Sequence, residues 1–96
     1  MNQRKLGGIV RRIRGLYGSS RKPRLLESVA GVLGRKRVKH GAYSWESKVF
    51  PSLPPVSIPH HSKEINRYTA ESILDHLMRF DVPKWEERLR LEGEKK

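Results

Sequence analysis

The 96-residue sequence contains no cysteine, and its first acidic residue is Glu27. Without cysteine, disulfides, thiolate zinc sites and cysteine nucleophiles are excluded, so the usual cross-links of a small secreted domain are missing. No apolar run approaches the roughly 20 residues that span a bilayer, and Met1 is not followed by an apolar secretory core. The sequence therefore predicts a protein that is neither secreted nor membrane-spanning.

The motifs of common enzymes are also missing. There is no G-x-S-x-G turn, no P-loop and no G-x-G-x-x-G, and the acidic residues are interspersed with basic ones on helix faces. The four histidines, His40, His60, His61 and His76, lack the spacing of metal ligands. We therefore expect no enzymatic activity, no cofactor and no metal.

Basic charge is abundant but confined to one half. Residues 1–40 hold 12 Lys or Arg against the single acid Glu27, whereas residues 41–96 hold nine basic and nine acidic side chains, so the first half carries the whole net charge of +11. Charge of this density repels itself, but a phosphate backbone or an anionic lipid surface would neutralise it and release counterions. This asymmetry predicts a polyanionic partner.

The first predicted element is a basic amphipathic helix over residues 4–17. Its three glycines, Gly7, Gly8 and Gly15, each cost about 1 kcal/mol relative to alanine, so we expect the helix to order on its partner. They indicate either frayed turns or close approach of the backbone to phosphate. The apolar side carries Leu6, Ile9, Val10, Ile13, Leu16 and Tyr17, and the basic side carries Arg4, Lys5, Arg11, Arg12 and Arg14.

A second helix is predicted over 23–33, with Pro23 in its first turn and Gly34 as its stop. The following basic run, 34–41, is typical of a nucleic-acid arm, a nuclear localisation signal or a solvated loop, and we favour the arm. Residues 1–40 are therefore interpreted as a nucleic-acid-binding arm. Its predicted phosphate contacts are Arg4, Lys5, Arg11, Arg12, Arg14, Arg21, Lys22, Arg24, Arg35, Lys36, Arg37 and Lys39.

Residues 41–61 are predicted to be extended, because four prolines interrupt any helix or sheet. Their apolar side chains lie either in a groove of another protein or across the chain's own helices. Residues 62–96 form a charge-balanced part with helices near 69–81 and 83–92, separated at Val82-Pro83, where Asp81 caps the second helix. The predicted protein-docking residues are Trp45, Phe50, Leu53, Ile58, Leu77, Phe80 and Trp85.

These parts predict a mainly α fold of short helices joined by a long extended proline-rich segment, with little independent core, ordered within an assembly. In style, the chain resembles the small basic accessory proteins of ribosomes, especially mitochondrial ones. The resemblance rests on the import-like start Met1–Leu6, the run Arg35–Arg37, the extended segment Phe50–His61 and the helical tail.

That resemblance implies a structural constituent of the ribosome, which neutralises rRNA phosphates with its N-terminal half and packs on neighbouring ribosomal proteins with its C-terminal half. It implies the mitochondrial matrix as the location, with a cytoplasmic ribosome as second choice. One alternative is an accessory subunit of a mitochondrial inner-membrane complex, with the helix over 4–17 lying on lipid. Another is a free nucleic-acid-binding regulator.

Overall fold

Four α-helices and a small antiparallel sheet make up the part of the chain that the computed structural model describes, residues 1–18, 22–38, 43–59 and 64–94. The fold is mainly α-helical. The elements are α1 (Gln3–Leu16), α2 (Pro23–Val32), β1 (Arg35–Arg37), β2 (Ser44–Ser47), β3 (Val56–Ser57), α3 (Arg67–His76), a π-helical turn (Leu77–Asp81) and α4 (Val82–Glu94).

The two N-terminal helices differ by a residue or so from the predicted ranges 4–17 and 23–33. The Asn2 side chain begins α1 by accepting a hydrogen bond from the backbone N–H of Lys5 at 2.8 Å. In α2, Pro23 lies in the first turn, where its missing N–H costs no hydrogen bond. Leu6 and Ile13 are buried, so the apolar stripe of α1 packs inside the chain itself.

The middle of the chain forms a sheet in the order β1-β2-β3. Arg37 pairs with Trp45 across the first two strands, and Trp45 pairs with Val56 across the next two. Val56 and Ile58 are buried against the helices. Of the two interpretations left open for residues 41–61, the described residues therefore follow the one that crosses the chain's own helices.

Glycine is required at the junction between α2 and β1. Gly34 has φ 99°, in the left-handed region that favours glycine. A Cβ there would also lie 2.6 Å from Cγ2 of Val49. The predicted stop at Gly34 is thus also a point of close packing between the end of α2 and Val49, which follows β2.

The C-terminal helices join without the predicted break at Val82-Pro83. Asn66 caps α3 by accepting from the N–H of Tyr68 at 2.8 Å, so the helix begins before residue 69. After α3, the backbone N–H of Val82 donates to the carbonyl of Leu77, five residues earlier. This i to i+5 hydrogen bond defines the π-helical turn. Asp81 is buried instead of capping α4, which corrects that assignment.

One buried apolar cluster joins the four helices, the π-helical turn and β3. It includes residues from α1, α2, β3, α3 and α4, together with Ile65 and the π-helical turn. Trp85 connects the two halves, because its Nε1 donates to the carbonyl of Leu33 at 2.9 Å. This core is larger than the little independent core that we predicted, and the middle segment contributes Val56 and Ile58 to it. No helix in the described ranges is long and apolar enough to cross a membrane.

Candidate nucleic-acid interface

The outer face of α1 is the most strongly basic surface among the described residues. All five of its basic side chains are exposed, and none forms an ion pair with a described acid. Arg12 donates from Nη2 to the hydroxyl of Ser28 in α2 at 2.8 Å, which leaves further guanidinium donors for another partner. These side chains are Arg4, Lys5, Arg11, Arg12 and Arg14.

Open space surrounds the three glycines of this helix. Among the described residues, no heavy atom outside the local helix lies within 4 Å of a Cβ built on Gly7, Gly8 or Gly15. No packing contact therefore explains why glycine occupies these positions, at a cost of about 1 kcal/mol each in helix stability. The interpretation that they allow close approach by a phosphate backbone remains open.

A hydrogen bond between helices fixes the C-terminal end of α1. The hydroxyl of Tyr17 donates to Oδ1 of Asp75 in α3. Burial, reinforced by the carboxylate of Asp75, raises the pKa of Tyr17, so the phenol stays protonated as the donor. Together with the buried Leu6 and Ile13, this contact gives α1 a defined orientation with its basic side outward.

Further exposed cations lie on α2 and β1. Lys22 and Arg24 are at the start of α2, and Lys36 and Arg37 are on β1. Lys36 lies opposite Glu46 in the sheet, which reduces the net charge there. Two other predicted contacts, Arg21 and Lys39, lie outside the described residues, as do His40, His60 and His61.

Arg35 does not belong to this surface, which corrects its assignment as a phosphate contact. Its side chain has no exposed area, and it forms a bidentate pair with Asp81, Nε to Oδ2 and Nη2 to Oδ1, both at 2.8 Å. Nη1 also donates to the carbonyl of Trp45 at 2.9 Å. The pair joins β1 to the π-helical turn, so Arg35 is a structural residue in this fold.

His76 lies beside this ion pair. Its Nε2 is 3.4 Å from Nη2 of Arg35 and 3.3 Å from the carbonyl of Pro54, and its ring stacks at a tilt on Phe80. Burial lowers the pKa of His76, against the opposing effect of the Pro54 carbonyl. Among the described residues, no three acidic or histidine side chains lie close enough together to hold a metal ion.

The predicted protein-docking residues divide into two groups. Ile58, Leu77 and Trp85 are buried in the chain's own core, which corrects their assignment as contacts to another protein. The others retain some accessible surface, and Trp45 and Phe50 pack partly on the core. This second group comprises Trp45, Phe50, Leu53 and Phe80.

The fold and surface charge together define a small α-helical protein with a basic outer face on α1. Comparisons with known protein families, curated proteins and solved structures find no match to this chain. Because one fold supports many functions, the function has to be inferred from the chemistry of this surface.

Proposed function

We propose that the chain is a structural component of a ribosome, of the mitochondrial type, whose N-terminal half neutralises rRNA phosphates. The observation that carries this proposal is the outer face of α1, where five exposed cations have no described acidic partner. Phosphate contacts would neutralise them and release counterions. Arg24, Lys36 and Arg37 are further exposed cations outside α1, available to the same large folded RNA.

The C-terminal half and the proline-rich segment would contact neighbouring ribosomal proteins. Leu53 is half-buried between exposed prolines, and Leu91 of α4 is 44% exposed. Such side chains would become fully buried on assembly, and the prolines restrict the segment so that little entropy is lost when it docks. In this proposal the assembly adds to the order supplied by the chain's own core.

The packing of the apolar face of α1 argues against the lipid alternative. A helix lying on a membrane buries its apolar face in the lipid interface. In α1 that face already packs within the chain, since Leu6 is 3% and Ile13 0% exposed. The outward side of α1 carries cations and glycines, which favour phosphate over acyl chains.

A free nucleic-acid-binding regulator is the second candidate, and the buried core favours it. A chain whose two halves share one apolar cluster has a means of folding without a larger assembly. The basic face of α1 would then bind nucleic acid outside a ribosome. The two candidates differ in whether the protein is bound to a ribosome in the cell or binds nucleic acid apart from it.

Sedimentation of the tagged chain through a sucrose gradient, from separated mitochondrial and cytosolic lysates with and without RNase, tests the proposal. We expect the chain to migrate with a mitochondrial ribosomal subunit and to leave those fractions after RNase treatment. Migration in light fractions with RNase-sensitive binding would support the free regulator. Migration with a membrane complex, indifferent to RNase, would contradict both.

A matched pair of variants links the result to α1. Arg4→Gln with Arg11→Gln removes two charges from its outer face, and Arg79→Gln with Lys84→Gln removes two exposed charges from the C-terminal helical part. We expect the first variant to dissociate from the subunit at lower salt than the second. Equal salt resistance of the two would contradict a role for α1.

A further inference from the structure

The basic face of α1 contains an internal repeat of seven residues. Arg4, Lys5 and Gly8 recur as Arg11, Arg12 and Gly15, with Leu6 of the first unit recurring as Ile13 of the second. Leu6 and Ile13 are the two buried residues of the helix. The repeat therefore has the same orientation in both units, with an apolar residue inward and two cations with a glycine outward.

Helix geometry places each glycine between its two cations. Gly8 is four residues after Arg4 and three after Lys5, and these are the spacings that make residues neighbours on a helix surface. Gly15 has the same relation to Arg11 and Arg12. Each unit thus places a glycine beside two long cationic side chains, and no heavy atom of the described residues outside the local helix lies within 4 Å of a Cβ built on either glycine.

We propose that these two units are phosphate-binding subsites, each of which seats one phosphate of a nucleic acid above its glycine, although Arg12 of the second unit also donates to Ser28 of α2. Seven residues correspond to about 10 Å along the helix, too far for one phosphate to reach both. The two subsites therefore hold two phosphates of the same nucleic acid. This inference rests on the proposed function and specifies how α1 meets the RNA.

The glycines make the proposal testable without any change of charge. Gly8→Ala and Gly15→Ala should each stabilise the helix and raise the melting temperature by about 4–8 °C. Each methyl group would nevertheless occupy the place of a phosphate, so we expect the affinity to fall by about threefold to tenfold, the equivalent of one hydrogen bond. A more stable protein that binds less tightly is not expected if the cations act only as a diffuse field.

The experiment measures binding of a fluorescently labelled RNA hairpin of mixed sequence at several KCl concentrations. Gly93→Ala is the matched control, because Gly93 lies in a helix with the same open surroundings but outside the basic face. We expect weaker binding for Gly8→Ala and for Gly15→Ala, and wild-type binding for the control. Wild-type or tighter binding by both α1 variants would overturn the two-subsite proposal.

Variants that remove charge distinguish failure of the two-subsite proposal from failure of the proposed RNA-binding function. Arg4→Gln with Lys5→Gln, and Arg11→Gln with Arg12→Gln, should each reduce the salt slope of binding by about two if each unit contacts phosphate. If these variants weaken binding and the glycine variants do not, RNA binding by α1 stands and the glycine subsites are wrong. If neither set changes binding, the RNA-binding role of α1 fails as well.

Discussion

Arg35 and Asp81 form a buried ion pair between residues 46 positions apart in the sequence. Arg35 lies in the densest basic run, and nothing in that run distinguishes it from Lys36 or Arg37. The burial depends on β1, because the strand turns Arg35 toward the π-helical turn while its neighbours remain exposed. The burial of Asp81 could be predicted only from the position of this acid beside apolar helix residues. That position fits the N-cap that we predicted equally well.

Asp81→Asn should destabilise the fold by about 3–5 kcal/mol, because it leaves the guanidinium of Arg35 buried without a counter-charge. That is a large fraction of the roughly 5–15 kcal/mol that stabilises a typical protein. Urea unfolding measures the loss, with Glu86→Gln as an exposed control. A cost below about 1 kcal/mol would contradict the buried pair.

Replacing the whole pair tests whether Arg35 also contacts RNA. Arg35→Met combined with Asp81→Leu removes both charges and fills the space with apolar atoms, so its stability should be closer to wild type than that of Asp81→Asn. We expect this double variant to bind the RNA hairpin with wild-type affinity and salt slope. A reduced salt slope of binding would indicate that Arg35 does contact phosphate.

His76 should make stability depend on pH. Its pKa is lowered in the folded protein, chiefly by burial. Above the ordinary pKa of about 6.5 the ring is neutral in both states, and below it the unfolded state takes up the proton first. The free energy of unfolding should therefore fall as the pH drops through 6.5 toward the folded pKa. Thermal unfolding from pH 8 to pH 5 should show a shallower decline for His76→Gln, and parallel profiles would contradict this.

At the scale of elements, the π-helical turn reconciles two patterns in the sequence. Leu77 and Val82 are both buried but five residues apart, which in a regular α-helix places them about 140° from each other. The wider turn brings them to the same face. It also begins α4 at Val82, so Pro83 lies in a first turn, where proline is tolerated. We predicted a break because proline usually ends a helix.

Deleting the exposed residue Arg79 should remove the π-helical turn and destabilise the fold through Pro83. Leu77 and Val82 would then be four residues apart, as a regular α-helix requires, but Pro83 would lie in a helix interior at a cost of about 3 kcal/mol. Pro83→Ala should recover most of that cost in the deletion variant and change the full-length chain by less than about 1 kcal/mol. Equal effects of Pro83→Ala in both backgrounds, measured by urea unfolding, would contradict this account.

Local spacing determined how much of the fold was predictable. The helices lie within a few residues of the predicted ranges, because apolar positions three and four apart report directly on a helix face. The sheet was missed, because its strands have only two to four residues and their pairing, such as Trp45 with Val56, is non-local. The basic surface of α1 was visible in the sequence, whereas the burial of Arg35 required the tertiary structure.

For the whole molecule, the charge that suits RNA is a liability to the free protein. The α1 cations, which have no acidic partner among the described residues, repel one another. This repulsion lowers the free energy of unfolding of the free chain, and bound phosphate would remove it. The buried core must offset this repulsion when no RNA is bound. Salt should therefore act in opposite directions on folding and on binding, since it screens both the repulsion within the chain and the attraction to phosphate.

The melting temperature of the free chain should accordingly rise with KCl, while its affinity for the RNA hairpin falls. Arg4→Gln, Arg11→Gln and Arg14→Gln together should raise the melting temperature at low salt, flatten its dependence on KCl and weaken RNA binding. Differential scanning fluorimetry and hairpin titrations over the same KCl series measure these trends, with Arg67→Gln as a control because its charge is already paired with Glu71. A melting temperature that falls with KCl would mean that attractive ion pairs outweigh repulsion in the folded chain. It would contradict the account in which the exposed cations of α1 repel one another until RNA phosphates neutralise them.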